Sequence, residues 1–80
     1  MTIDWDEEAI TAVSRFLDDP AGLAVALDAI GRLAEDPDPA EAVRWGHTPW
    51  RRLRAGRYRI LYAVEGDLIT IRRVDRVAAG

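Results

Sequence analysis

The chain has no cysteine, which excludes a disulfide framework, a thiolate metal site and a cysteine nucleophile. It has no lysine either, so all 11 basic side chains are arginine. Arginine offers planar, bidentate recognition of phosphate that lysine lacks, although a GC-rich coding bias produces the same composition. No apolar run approaches the roughly 20 residues needed to cross a bilayer. The first eight residues, Met1-Thr2-Ile3-Asp4-Trp5-Asp6-Glu7-Glu8, are acidic and unlike a secretory leader. A cytoplasmic protein with no membrane partner is the expectation. Histidine occurs once, at His47, and no pair of helix acids is spaced for a metal or an acid–base site, so no metal and no cofactor are expected.

What remains is a composition for one small globular domain spanning residues 1–80, with 49% hydrophobic and 31% charged residues. The net charge of −3 conceals an asymmetry. Residues 1–43 carry two arginines and eleven acids, a net of −9, whereas residues 44–80 carry nine arginines and three acids, a net of +6. Such a split invites an anionic partner for the second half. Alternatively, the two halves neutralise each other across the fold.

Thr2–Trp5 reads as a short strand. Asp4 or Asp6 then caps a helix whose first turn holds Glu7 and Glu8, and Ala9, Ile10, Val13, Phe16 and Leu17 form its apolar stripe. Asp18-Asp19-Pro20 stops it and starts a second helix, with Asp19 as N-cap and Pro20 in the first turn. Leu23, Ala26, Leu27, Ile30, Leu33 and Ala34 form the second stripe, and Gly31 within it permits a close approach at some cost in helix propensity. Residues 35–39, with two prolines, end the helical half. Residues 40–49 are a connector with a short helical turn at 40–45.

Three strands follow between Trp50 and Arg76, a stretch with eight arginines and three acids. Alternation places Trp50, Arg52 and Arg54 on one face and Arg51, Leu53 and Ala55 on the other. Tyr58, Ile60, Tyr62 and Val64 should pack on the helices, leaving Arg57, Arg59, Leu61 and Ala63 outside. Counted straight through, the last strand sets Ile69, Ile71, Arg73 and Asp75 against Leu68, Thr70, Arg72, Val74 and Arg76. Gly56 and Glu65-Gly66-Asp67 supply the turns. The fold class is therefore α+β: an N-terminal strand and a two-helix hairpin on one face of a small antiparallel sheet, in the order β-α-α-β-β-β. Its open face would carry Arg52, Arg54 and Arg59 beside Trp50, a surface for gripping a backbone and stacking a base.

Leu53-Arg54-Ala55-Gly56-Arg57-Tyr58-Arg59-Ile60-Leu61-Tyr62, followed by Ile69-Thr70-Ile71-Arg72-Arg73-Val74, resembles the RelE/ParE superfamily of toxin–antitoxin toxins, whose members show a similar L-R-x-G-x-Y-R-x-x-Y strand pair after two helices. The resemblance covers essentially the whole chain. For a RelE-like member it implies a metal-free, ribosome-dependent endoribonuclease that cuts mRNA and inhibits translation. For a ParE-like member it implies poisoning of DNA gyrase on the same fold. In either case a cognate antitoxin, RelB-like for a RelE-like toxin, wraps the toxin into a hetero-oligomer. The toxin alone would be a monomer or weak dimer.

Carried over by position, Arg59 matches the arginine that holds the scissile phosphate, and Arg52 and Arg54 match basic residues on the same face. Arg76 matches a basic residue after the final strand. The Tyr or His that follows it in the family has no counterpart here, and Trp50 stands where some members have lysine. Arginines can stabilise a crowded phosphate but rarely exchange protons. His47, Tyr58 and Tyr62 are the remaining groups for proton transfer, and both tyrosines read as core. The expected catalytic set is Arg52, Arg59, Arg76 and His47, with Arg52, Arg54, Arg59 and Trp50 binding RNA phosphate and base. Should proton transfer be lacking, the domain is a weak enzyme that mainly holds its antitoxin.

Overall fold

A computed structural model describes residues 1–77 and shows two helices covering one face of a five-stranded mixed sheet. The elements are β1 (Thr2–Trp5), α1 (Glu7–Ser14), α2 (Pro20–Arg32), β2 (Ala42–Arg44), β3 (Trp50–Ala55), β4 (Tyr58–Glu65) and β5 (Leu68–Arg76). The sheet order is β1-β5-β4-β3-β2. The four strands β2 to β5 form an antiparallel meander, and β1 adds to its edge in parallel with β5. Among the described residues no helix is long and apolar enough to cross a membrane.

The α+β layering matches the sequence reading, but the sheet is mixed rather than antiparallel because β1 runs parallel to β5, and there are further local differences. First, the connector forms a strand, β2, where a helical turn was expected: Ala42, Val43 and Arg44 pair with Leu53, Arg52 and Arg51. The free edge of β3 offers backbone partners that outweigh any local helical preference in so short a segment. Second, α1 ends at Ser14, and two residues of its expected apolar stripe are exposed, Ile10 within it at 55% and Leu17 beyond it at 69%. Third, Asp6 occupies the N-cap position of α1 without bonding its backbone, because its carboxylate accepts from the Arg72 guanidinium instead. Asp19 does cap α2, accepting from the Gly22 N–H at 3.2 Å, with Pro20 in the first turn. Gly31 has open space where a Cβ would stand, so it serves no close approach.

The core lies between the helices and the sheet, where Ala26, Ile30 and Leu33 of the helical half meet Leu53, Tyr58, Ile60, Tyr62, Ile69, Ile71 and Val74. The two Gly-led hairpin turns place Gly56 and Gly66 at φ of 58° and 61°, a region that costs other residues dearly. Strand parity alone does not deliver this core. The β4–β5 register slips between Leu61–Arg73 and Tyr62–Ile71, so Arg72 is an extra residue bulged out of the ladder. Beyond it every side chain changes face: Val74 turns to the core, 1% exposed, while Arg73 and Asp75 turn outward. The expected straight alternation would have buried Arg73 and Asp75 beside Ile69 and Ile71 and exposed Val74.

Candidate functional site

Four of the eight arginines between Trp50 and Arg76 pair with acids of the helical half. Arg51 is 6% exposed, the one buried charged residue among those described. Its Nε donates to Asp38 Oδ1 at 2.9 Å and one terminal nitrogen to the Pro49 carbonyl at 2.6 Å, which ties the loop after α2 to the sheet. That hydrogen bond holds the Asp38 carboxyl below the usual carboxylate range. Arg72, the bulged residue, pairs with Asp6 and Glu8. Arg57 approaches Asp19 at 3.9 Å.

Arg76 belongs to this group as well. It pairs across the sheet with the buried Tyr58, so it points toward the helices and away from Arg59. Its guanidinium donates to Asp18 and lies 5.0 Å from the Phe16 ring centroid. The bulge is the physical reason, since it reverses the parity of the end of β5. Arg76 is thus removed from the expected catalytic set and instead clamps β5 to the helix turn.

Both tyrosines are core residues with engaged hydroxyls. Tyr58 donates to Asp19 Oδ2 at 2.9 Å, and Tyr62 donates to the Pro37 carbonyl at 2.7 Å. Burial pushes the Tyr62 phenol up to about 12, and burial followed by the Asp19 carboxylate raises Tyr58. The hydrogen bond from Tyr58, then that from Gly22, lowers Asp19. Neither phenol faces the open side.

The open face gathers the others. Arg54 stands directly across from Arg59, and Arg52 directly across from Leu61, which in turn faces Arg73. Two shallow concavities run over this grid. One, of about 210 Å³, is lined by Glu41, Val43, Arg52, Arg54 and Arg59. The other, of about 290 Å³, shares Arg52 and Arg59 and adds Trp45, Leu61, Arg73 and Asp75. Among the described residues, Arg52, Arg54 and Arg59 take part in no ion pair. A cross-strand pair of like charges such as Arg54 and Arg59 is destabilising, so their clustering is not explained by folding. Arg54 has only a backbone partner, the Gly56 carbonyl at 2.9 Å.

Residues 3–78 match the sequence profile of the ParE toxin of type II toxin–antitoxin systems, parDE. The chain belongs to the ParE toxin family. Within the wider RelE/ParE superfamily, the toxin–antitoxin complex RelBE2 of Mycobacterium tuberculosis contains a chain 25% identical, with a TM-score of 0.74 over 94% of this chain and 95% of that one. The chromosomal ParDE system of P. aeruginosa gives 17% identity and a TM-score of 0.79, covering 98% and 97%. The isolated E. coli RelE toxin gives 17% identity and 0.77, covering 98% of this chain and 85% of that one. Among curated protein sequences there is no match.

Besides Arg76, two of the expected site residues lie apart from the toxin's arginine grid. His47 sits exposed in the β2–β3 loop and does not line either concavity. Trp50 shares the face of Arg52 but pairs with Ala63, toward the far end of β3 from Arg54. Trp45 takes the place beside the arginines that Trp50 was expected to fill, and it is 46% exposed. Sequence reasoning missed it because β2 was missed. Once Val43 is opposite Arg52, the residue two further on returns to the same face. Arg73 and Asp75 were missed for want of the bulge. Among the described residues no cluster of three or more His, Asp or Glu side chains is placed to hold a metal ion.

Proposed function

We propose that this toxin acts on RNA as a RelE-like, metal-free, ribosome-dependent endoribonuclease, with the open face of its sheet against the message. The observation that carries this is the unpaired trio Arg52, Arg54 and Arg59 beside an exposed Trp45, while the helix-face arginines 51, 57, 72 and 76 are answered by acids of the N-terminal half. Guanidinium groups match phosphate oxygens in geometry and charge, and stabilise the negative charge that builds up when a phosphodiester is attacked. An indole at the edge of such a grid offers any base a stacking surface. Arg59, central between Arg54 and Asp75 across the sheet, holds the scissile phosphate, and Arg52 and Arg54 hold its neighbours.

A cognate antitoxin is the second partner. Relatives of the same fold form toxin–antitoxin complexes, as in RelBE2 of Mycobacterium tuberculosis, and an acidic segment laid over Arg52, Arg54 and Arg59 would mask the RNA-binding surface directly.

Induction in a bacterial host tests the proposal. Rapid loss of translation with cuts in ribosome-bound message is the expected result, and Arg59→Ala should abolish both. A variant as toxic as the wild type would refute the phosphate role of Arg59. The match to the ParE profile favours one other outcome, inhibition of DNA gyrase by protein–protein contact. Filamentation and DNA damage with translation intact would establish it.

A further inference from the structure

Cutting RNA without a metal requires a group that removes the 2′-hydroxyl proton, and guanidiniums are poor at this because they stay protonated. The phenols of Tyr58 and Tyr62 are sealed on the helix side, each donating to an acceptor of the core, and His47 lies outside the arginine concavity. The bulge at Arg72, however, turns one carboxylate into that concavity. Asp75 stands directly across from Arg59 on the neighbouring strand, and its Oδ1 lies 3.5 Å from a terminal nitrogen of Arg73, two residues back on the same face. The side chain is 55% exposed, so it can reach a bound substrate. A carboxylate is an acceptor with no proton of its own to lose, and Arg73 stands beside it.

We propose that Asp75 is the general base of this toxin, taking the 2′-hydroxyl proton of the nucleotide whose 3′ phosphate Arg59 holds; the assignment rests on the RNA reading above. As the proton passes to Asp75, the 2′ oxygen bonds to phosphorus and the bond from phosphorus to the 5′ oxygen breaks. The leaving 5′ oxygen takes a proton from water, Asp75 returns its own to solvent, and the product is a 2′,3′-cyclic phosphate. No oxidant, metal or co-reactant enters. The charged groups around Asp75 are Arg52, Arg59 and Arg73 in the concavity, with Glu8 and Arg15 of the α1 region lining an adjoining cleft that Asp75 shares.

A structural or merely electrostatic Asp75 predicts the opposite sign. Removing a negative charge from a phosphate-binding face tightens RNA binding and, without a base role, leaves cleavage unchanged or faster. The test therefore separates binding from cutting. Wild type, Asp75→Asn, Asp75→Glu and Arg59→Ala are compared for binding of a 2′-O-methyl RNA oligonucleotide, which cannot be cut, and for cleavage of message on programmed ribosomes. Asp75→Asn should bind at least as tightly as wild type yet cleave at least ~100-fold more slowly. Asp75→Glu should recover part of the rate. Equal melting temperatures of the Asp75 variants and wild type exclude misfolding as the cause.

Cleavage by Asp75→Asn as fast as wild type would overturn the base assignment while leaving the RNA reading intact. A wild-type toxin that neither binds the oligonucleotide nor cuts message would overturn the RNA reading, and this assignment with it.

Discussion

Adjacent arginines on β3 should behave as opposites when truncated. The Arg51 side chain is 7% exposed, whereas Arg52 points to solvent on the other face. Arg51→Ala removes a charge-assisted hydrogen bond worth about 1.5–3 kcal/mol. Asp38, its partner, is 42% exposed and rehydrates, so the low end of that range applies. The Pro49 carbonyl keeps its bond from the Val64 N–H at 2.9 Å and loses little. Two buried methylenes of the stem add about 0.8 kcal/mol each. Freeing the long side chain offsets about 1.5 kcal/mol as regained entropy. The net loss is about 2 kcal/mol, which for a domain of this size lowers Tm by about 8–16 °C. Arg52→Ala has no ion pair or core contact to lose, and should stay within about 0.5 kcal/mol of wild type. Thermal melts followed by circular dichroism decide it. If the two variants melt alike, the division of β3 into a structural and a functional face is wrong.

Gly31→Ala should stabilise by about 1 kcal/mol, since a Cβ there meets nothing within 4 Å and the helix gains a better former. Gly22→Ala should lower Tm despite the same propensity gain, because its Cβ would stand 2.2 Å from the Asp19 carboxylate that caps α2. Alkaline titration should unfold the protein between pH 10 and about 12: burial raises the folded Tyr62 phenol above its ordinary value of 10.0, so the unfolded chain ionises first and stability falls as pH rises through that window. Tyr62→Phe should flatten this limb in pH-dependent melts. On the acid side, Asp19 and Asp38 are held below the ordinary 3.8, so the stability they contribute is present above that value and drains away as pH falls through their lowered values. Asp38→Asn should lower stability at neutral pH and shrink that acid loss.

The two helices, the start of the second at Asp19-Pro20 and the apolar inward residues of β3 and β4 were legible because apolar spacing and turn residues agreed there. β2 was not: three residues cannot display a period, and Ala42, Val43 and Arg44 form a strand only because β3 presents an open edge. Trp45 was lost with it. The bulge left a trace that simple counting overlooks. Straight alternation on β5 sets two charges, Arg73 and Asp75, among the isoleucines and Val74 outside. Burying charges without partners costs far more than a local break in the ladder. A slip of one residue at Arg72 restores Ile69, Ile71 and Val74 to one face, and the conflict that demands it is visible in the sequence.

The same slip decides what the charge asymmetry means. With it, Arg76 reaches Asp18, and Arg72, freed from the ladder, reaches Asp6 and Glu8. With Arg51 on Asp38 and Arg57 near Asp19, five acids of the N-terminal half, Asp6, Glu8, Asp18, Asp19 and Asp38, pair with arginines on one side of the basic half. Mutual neutralisation and an anionic partner are therefore not competing accounts of the imbalance; they apply to opposite faces of one sheet. Those five acids lie where the arginines hold the fold together. On the other face Arg52, Arg54 and Arg59 form no ion pair among the described residues, although Glu41 lines their concavity and Asp75 stands directly opposite Arg59. A sheet that cancels charge on the packed side and concentrates it on the open side is the arrangement that the proposed RNA-binding role requires.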